Sequence, residues 1–380
     1  MTKGLEMNQK NIKKVLVAIL LTLTLFLGIK ITYAATSDFT VSPSIPQNQV
    51  EGNHGYFNLL MKPGTSQEIS INLSNTTSHS ITVEMSFARS TTNGNGLAIY
   101  DTTTAKADDS LKYNIEDYVK LPQKEITLAA HSQTAVVSKV TMPTSDFNGV
   151  LAGGFAFKEK SSESSSNPKN GVSIINEYRY VIALVMQQNT KAVSPQLHLN
   201  QVEASQINSR NIISANLQNS ASTYLQDMNA SATVKGVTHP ELKYSFENSE
   251  MKMAPNSNFD LAIPVSIQGN MANQTSKALQ PGKYHLSMTV YGVKSAEGRY
   301  QTTVNGQTVK YEYKWNFERD FEIAGAKASK LNRSDPTVRY KEPMNWLMII
   351  GIALILIVVL LIFLVFISKR KKDNHIQNDD

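Results

Sequence analysis

The run Trp346 to Ile367, WLMIIGIALILIVVLLIFLVFI, has no charged or strongly polar side chain and is long enough to cross a bilayer core as one helix. Every other segment must therefore be placed relative to a membrane. The downstream flank carries Lys369, Arg370, Lys371 and Lys372, whereas the upstream flank holds Arg339 and Lys341, partly offset by Glu342. This cationic excess predicts a transmembrane helix over 346–367, a cytoplasmic tail over 368–380 and an external N-terminal part. A buried core helix seldom runs about 20 residues without one polar position.

The N-terminus carries a second targeting pattern. Lys10, Lys13 and Lys14 precede the apolar run Val15 to Gly28, and Thr32-Tyr33-Ala34 ends in a small residue. These features predict a signal peptide over 1–34, cleaved after Ala34. The apolar run is somewhat longer than the usual 7–15 residues, so a retained N-terminal anchor stays open as the other reading. Either one exports the middle of the chain.

The formal charge of +6 raises the question of a nucleic-acid partner. Setting aside 1–34 (five Lys, one Glu) and 368–380 (four cations, three Asp) leaves 28 cations against 27 anions. The basic balance thus comes from the targeting and anchoring segments, and no nucleic-acid footprint remains. The sequence contains 0 cysteines, although an exported domain sits where disulfides are permitted. Packing alone must stabilise it, and the absence favours a bacterial surface with one membrane and a thick wall. On that reading the Asn-x-Ser/Thr matches at Asn75, Asn229, Asn273 and Asn332 are chance matches in a Ser/Thr/Asn-rich chain.

From Phe39 the segments are short, β-rich and punctuated by turns. Ile69, Ile71 and Leu73 alternate with polar residues, and after Asn75-Thr76-Thr77-Ser78 the residues Ile81, Val83, Met85 and Phe87 alternate again, which predicts an antiparallel pair. Val136, Val140 and Met142 continue the pattern. Val150 to Lys158 and Ile174 to Met186 form longer runs, and Tyr178 to Met186 is apolar on both faces, as in a central strand. Ser161 to Asn170 is polar and reads as a long loop between two strands of one hairpin.

Between Arg89 and Pro122 the alternation lapses. Asn93-Gly94-Asn95-Gly96 is turn chemistry, and Leu111, Ile115 and Val119 at i, i+4, i+8 predict a short helix. An insertion of this size is a cap on the core or a binding loop. Its Tyr100, Tyr113 and Tyr118 could stack on sugar rings or pack against the sheet beneath.

After Pro195 the alternation restarts in Ile213 to Leu217, Met228 to Val234, Phe259 to Ile267 and Tyr284 to Val290, with Pro281-Gly282 as a turn before the last of these. Trp315, Phe317, Phe321 and Ile323 share one side of a final strand. An external part of about 290 residues suits two domains better than one. The expectation is an all-β chain of two tandem immunoglobulin-like sandwiches, 38–188 and 189–325, followed by a flexible stalk over 326–345.

The search for chemistry yields no catalytic set and no cofactor site. His54, His79, His131, His198, His239 and His285 lack metal-ligand spacing, and no GxSxG elbow is present. The S-x-x-K matches, Ser166 to Lys169 and Ser249 to Lys252, have no companion motifs. No LPxTG-like sorting signal lies in Asp335 to Asn345, so the apolar helix is expected to persist as the anchor.

Phe39-Thr40-Val41-Ser42-Pro43 with Ile45-Pro46-Gln47-Asn48-Gln49, then Gly55-Tyr56-Phe57, Lys62-Pro63-Gly64 and Gly153-Gly154-Phe155, resemble the peptidoglycan-binding domain of WxL-interacting proteins. Leu217-Gln218-Asn219, Met251 to Ser257, Leu279 to Tyr284 and Trp315-Asn316-Phe317 resemble that family's partner- or host-binding domain. The resemblance covers nearly the whole chain in order. It implies a surface protein of Gram-positive bacteria that holds peptidoglycan with one domain and a WxL-domain protein or host ligand with the other. The family's own seam could instead fall at 160–171. Scaffolding of WxL-domain proteins is the leading reading; a direct adhesin for host matrix proteins and a wall-active enzyme subunit are the alternatives. The resemblance supplies no contact residues. Tyr100, Tyr113 and Tyr118 are therefore candidates for glycan stacking, and Trp315 for the partner interface, on chemical grounds alone.

Overall fold

The computed structural model describes residues 37–50, 55–100, 106–160, 178–269, 274–340 and 346–376. The expected signal peptide and the loop Ser161 to Asn170 lie outside them.

The first unit contains β1 (Phe39–Ser44), β2 (Phe57–Leu60), β3 (Ser66–Asn75), β4 (Ile81–Arg89), β5 (Thr91–Thr92), β6 (Ala98–Ile99), β7 (Val119–Lys120), β8 (Glu125–Leu128), β9 (Gln133–Thr141), β10 (Leu151–Glu159) and β11 (Arg179–Gln187). One sheet runs β1-β3-β9-β7 and the other β2-β11-β10-β4-β8, with β5 and β6 as a separate ribbon. Inner faces meet through Phe39, Phe57, Ile71, Leu73, Val83, Phe155, Phe157 and Leu184, all fully buried. Each such side chain contributes roughly 1.5–3 kcal/mol, which is how a chain without disulfides is held.

Three expectations change here. β3 and β4 do not pair: they lie in opposite sheets, and the turn between them carries the chain across the sandwich. Alternation fixed which face of each strand is buried but not its partner. The crossing is pinned by Asn75, whose Nδ2 donates to the carbonyls of His79, Leu128 and Ala129 at 2.7, 3.2 and 2.9 Å. The helix expected through Leu111, Ile115 and Val119 shrinks to a 3-10 turn, Ile115–Tyr118, capped by Asn114, and Val119 already belongs to β7. Asp108 and Asn114 hold the neighbouring backbone in tight turns that compete with a longer helix. β10 and β11 do form an antiparallel pair, with Phe155 opposite Ile182. Burial on both faces belongs to β10, however, while Val181 of β11 is 42% exposed.

The second unit contains β12 (Leu197–Ile207), β13 (Arg210–Asn219), β14 (Leu225–Gly236), β15 (Lys243–Met253), β16 (Ser257–Pro264), β17 (Gly282–Lys294), β18 (Tyr300–Val304) and β19 (Gln307–Ile323). A sheet β12-β13-β16 faces a sheet β15-β14-β17-β19-β18 across a core that includes Ile213, Leu217, Leu261, Leu286 and Val290. Together the two units are tandem immunoglobulin-like sandwiches. Asn305 and Gly306, both at positive φ, make the tight β18–β19 turn.

The expected stalk over 326–345 is largely replaced by structure. α1 (Gly325–Ser334) packs Ala328 and Leu331 into the second core. Its buried Asn332 exchanges hydrogen bonds with the Leu279 N–H and carbonyl at 2.8 Å each, and Asp335 accepts from Asn211 N at 2.9 Å. Polar and charged composition concealed a segment whose burial rests on these hydrogen bonds as well as on the short apolar pair Ala328 and Leu331. Beyond it, α2 (Trp346–Ile376) contains Ile349–Ile367, long and apolar enough to span a bilayer, and runs on through the Lys369 to Lys372 cluster.

An ectodomain ending at Ala324 is accordingly expected to be less stable than one ending at Tyr340. Asn332→Ala in the longer form leaves the Leu279 backbone pair unsatisfied and should cost about 2–4 kcal/mol. Urea denaturation measures both; equal midpoints for all three proteins would contradict this role for α1.

Candidate binding surfaces and the interdomain seam

The insertion between β4 and β7 builds most of a seam between the sandwiches. Asp108 opens a turn in which Ser110 N and Oγ donate to its Oδ1 at 2.9 and 2.6 Å. The same carboxylate accepts from Gln218 Nε2 at 2.8 Å and from Asn258 Nδ2 at 2.6 Å, both from the second sandwich. Asn256 Nδ2 returns the contact by donating to Ser110 O at 3.1 Å. Thr92 Oγ1 lies 2.6 Å from Ser257 Oγ and accepts from Ala254 N at 3.0 Å. Lys252 N donates to Gly96 O, and Val150 N to Ser222 O, at 2.8 Å each. At Gly149, φ is +92° and a Cβ would overlap Ser222 O, so only glycine permits this approach.

Tyr100 belongs to the seam. Its hydroxyl lies 2.9 Å from Tyr224 OH, and its Cβ sits over Gly154, where a side chain would collide with it. Burial pushes both phenols above their ordinary pKa, that of Tyr224 further. Lys252, one half of the Ser249 to Lys252 match, places its ammonium 4.5 Å from the Tyr224 ring centroid. Burial lowers its pKa.

Tyr113 and Tyr118 stand apart from Tyr100 as a partly buried shelf. Their centroids are 6.3 Å apart, edge to face; Phe147 lies 5.6 Å from Tyr113, and both Tyr113 and Phe147 pack against the first core. Lys112 Nζ is 5.0 Å from the Tyr113 ring. Such faces can bury the CH surface of a sugar ring. The structure therefore brings together two of the three tyrosines singled out for glycan stacking. A separate groove of ≈ 380 Å³ lies on the outer face of the β10 sheet, where Glu84, Glu125, Lys124, Lys158 and Arg179 mix both signs of charge.

Trp315 is half-buried on the inner side of β19. It is stacked on Tyr313 at 5.7 Å and 13°, packs against the second core, and closes over Gly292. The outer face of the same sheet is polar and open. Across it Thr233, Ser287 and Glu318 are in register, as are Lys235, His285 and Asp320. Hydrogen bonds that the His285 ring donates to Asp320 and then to Glu318 raise its pKa. Asp108, Tyr224 and Asn258 carry no signal in the sequence, and Gln218 and Met253 to Ser257 stand out there only through the family resemblance. Lys369 to Lys372 lie in the C-terminal part of α2. Among the described residues no group of three or more His, Cys, Asp or Glu side chains could hold a metal ion.

Residues 39–159 match the family model "WxL Interacting Protein, peptidoglycan binding domain", and residues 169–333 match "WxL Interacting Protein, host binding domain". The break between the matches precedes β11, yet β11 pairs with β10 and β2, so the first sandwich draws one strand from the second matched segment. No curated protein matches the chain. Similar solved structures include a Salmonella enterica SafA pilin in complex with the SafB chaperone, 11% identical, covering 74% of this chain and 98% of that one at TM-score 0.27. A PapD-like domain of human CEP192 is 11% identical and covers 43% of this chain and 99% of that one at TM-score 0.25.

The Asp108 cluster gives a pH prediction. Burial alone would raise its pKa, but hydrogen bonds from Ser110, Asn258 and Gln218 outweigh it and hold the pKa below the ordinary 3.8. The folded value is the lower one, so this stabilisation is complete above the unfolded value and lost as pH falls through the folded value. Asp108→Asn is expected to weaken the seam at neutral pH by about 1–3 kcal/mol and to flatten its acid dependence. Thermal unfolding across pH, with a distance label on each sandwich, measures this; unchanged curves would contradict it. Trp315→Ala is expected to cost about 2 kcal/mol, less than the 3–5 of a fully buried aromatic. Calorimetry of the ectodomain checks this, and an unchanged unfolding temperature would place Trp315 outside the core's support.

Proposed function

The chain belongs to the WxL-interacting protein family, and on that premise we propose that it is a non-catalytic scaffold: its first sandwich binds peptidoglycan and its second tethers a WxL-domain protein at a Gram-positive envelope. The observation that carries this reading is the order of two binding-domain matches followed by a helix suited to a membrane anchor. A cell-surface binding role follows from those features; the identity of the tethered partner is the proposal. The seam adds a physical reason. Two sandwiches clamped through Asp108, Thr92 and Ser257 hold their ligands at a fixed spacing, and simultaneous attachment raises retention by about 10²–10⁴ where geometry allows it.

The Tyr113–Tyr118 shelf is the candidate glycan contact, with Tyr100 acting through the seam. The open polar face of β14, β17 and β19 is the candidate partner surface, with Trp315 supporting its sheet from beneath. The basic cluster Lys369 to Lys372 favours a cytoplasmic tail and an external ectodomain. The match of the second sandwich to a host binding domain favours one further reading, in which that sandwich binds a host protein directly.

Residues 37–340 are expected to sediment with purified peptidoglycan and to release no soluble fragments. Tyr113→Ala with Tyr118→Ala should weaken binding about tenfold, the scale of two aromatic contacts. Released muropeptides would overturn the non-catalytic reading, and undiminished binding would remove the shelf. The same ectodomain should capture a WxL-domain protein encoded nearby; capture of host matrix protein in its place would favour the adhesin reading.

A further inference from the structure

The segment between the second sandwich and the apolar helix forms a site that neither binding role uses. α1 and the turn after it leave a cavity of ≈ 500 Å³ bounded by Leu279, Gln280, Pro281, Ser329, Arg339 and Tyr340. Among the described residues no carboxylate lines it. Ser329 Oγ and Tyr340 OH lie 2.7 Å apart on one wall, and Asn332 is committed to the Leu279 backbone. Arg339 is exposed at the rim, so the cavity presents one cation and several hydrogen-bonding groups.

The surroundings share its sign. Lys330 and Arg333 are exposed on the side of α1 away from buried Ala328 and Leu331. Lys327, at the flank, pairs with Glu203 at 3.5 Å. The one carboxylate in 325–340, Asp335, is buried and turned toward Asn211 and Thr337. The outward surface of this segment is therefore cationic. Tethering keeps it near the bilayer: Tyr340 precedes Trp346, the start of the apolar helix, by six chain steps, which span about 20 Å at most.

We propose that this cavity takes the phosphate of an anionic phospholipid, with Arg339 at the headgroup and Lys330 on a neighbouring lipid, so that the second sandwich stands on the membrane surface. The inference rests on the membrane-anchor reading and goes beyond it. A guanidinium offers paired N–H donors that match phosphate oxygens. Bilayer attraction falls off within a Debye length of about 8 Å, so only cations held this close to the surface contribute. The consequence is a fixed stance for the ectodomain, which a flexible stalk would not provide.

The test uses the full chain in nanodiscs of phosphatidylcholine alone or with phosphatidylglycerol. Hydrogen exchange over 276–282 and 325–340 should slow by about fivefold in the anionic discs. Arg339→Gln with Lys330→Gln should abolish the difference while leaving exchange in β17 and β19 unchanged, which shows that the variant is folded. Equal exchange in both disc types overturns the proposal. Equal slowing in phosphatidylcholine discs by soluble glycerol phosphate also overturns it, because the site would then take a free phosphate. Failure of the chain to enter discs overturns the anchor reading and this proposal with it, and is distinguishable from the other outcomes.

Discussion

Buried side-chain amides hold this chain where a disulfide would hold many exported domains. Asn75, 2% exposed, and Asn219, fully buried, sit where the chain leaves one sheet for the other. Asn219 Nδ2 donates to Thr223 O and Ala254 O at 2.7 and 3.1 Å, much as Asn75 ties the corner of the first sandwich. A carboxamide has two donors and an acceptor with two lone pairs, so one side chain can satisfy several backbone groups that a sheet crossing would strand. The two corners share a pattern, Asn72-Leu73-Ser74-Asn75 and Asn216-Leu217-Gln218-Asn219, with both leucines fully buried. The sandwiches thus use one local solution twice.

The second copy of that corner also reaches the other domain. Gln218, between Leu217 and Asn219, donates to Asp108, and Ala254, whose carbonyl Asn219 holds, donates its N–H to Thr92. Domain docking therefore depends on the same residues that fold the second sandwich. A seam built from hydrogen bonds is directional, and it fixes orientation more strictly than an apolar patch of similar area would. For a two-ligand scaffold that orientation matters, since spacing decides whether both ligands can be held at once.

At the other end, Asn332 and Asp335 bring α1 onto the second core, and this placement turns a polar connector into a cationic foot near the bilayer. The construction is the same as at the corners. Polar side chains are buried because each finds its partners, which leaves no apolar signature in the sequence.

The sequence by itself determined the apolar helix, the two-residue alternation of the strands, the tandem of sandwiches and the family, because these depend on local periodicity and on motif order. It did not determine that β3 and β4 lie in opposite sheets, since alternation records a buried face and is silent about neighbours. Nor could it separate Tyr100, taken into the seam, from Tyr113 and Tyr118, which form a partly buried shelf apart from it; all three occur in one polar insertion. The i, i+4, i+8 spacing of Leu111, Ile115 and Val119 suggested a helix that local side-chain turns at Asp108 and Asn114 prevent. Residues 326–345 read as a stalk because the burial of Asn332 and Asp335 within them comes from partners such as Leu279 and Asn211, more than 50 positions away in the chain. Those contacts exist only after both sheets have formed, so only the tertiary structure could decide them.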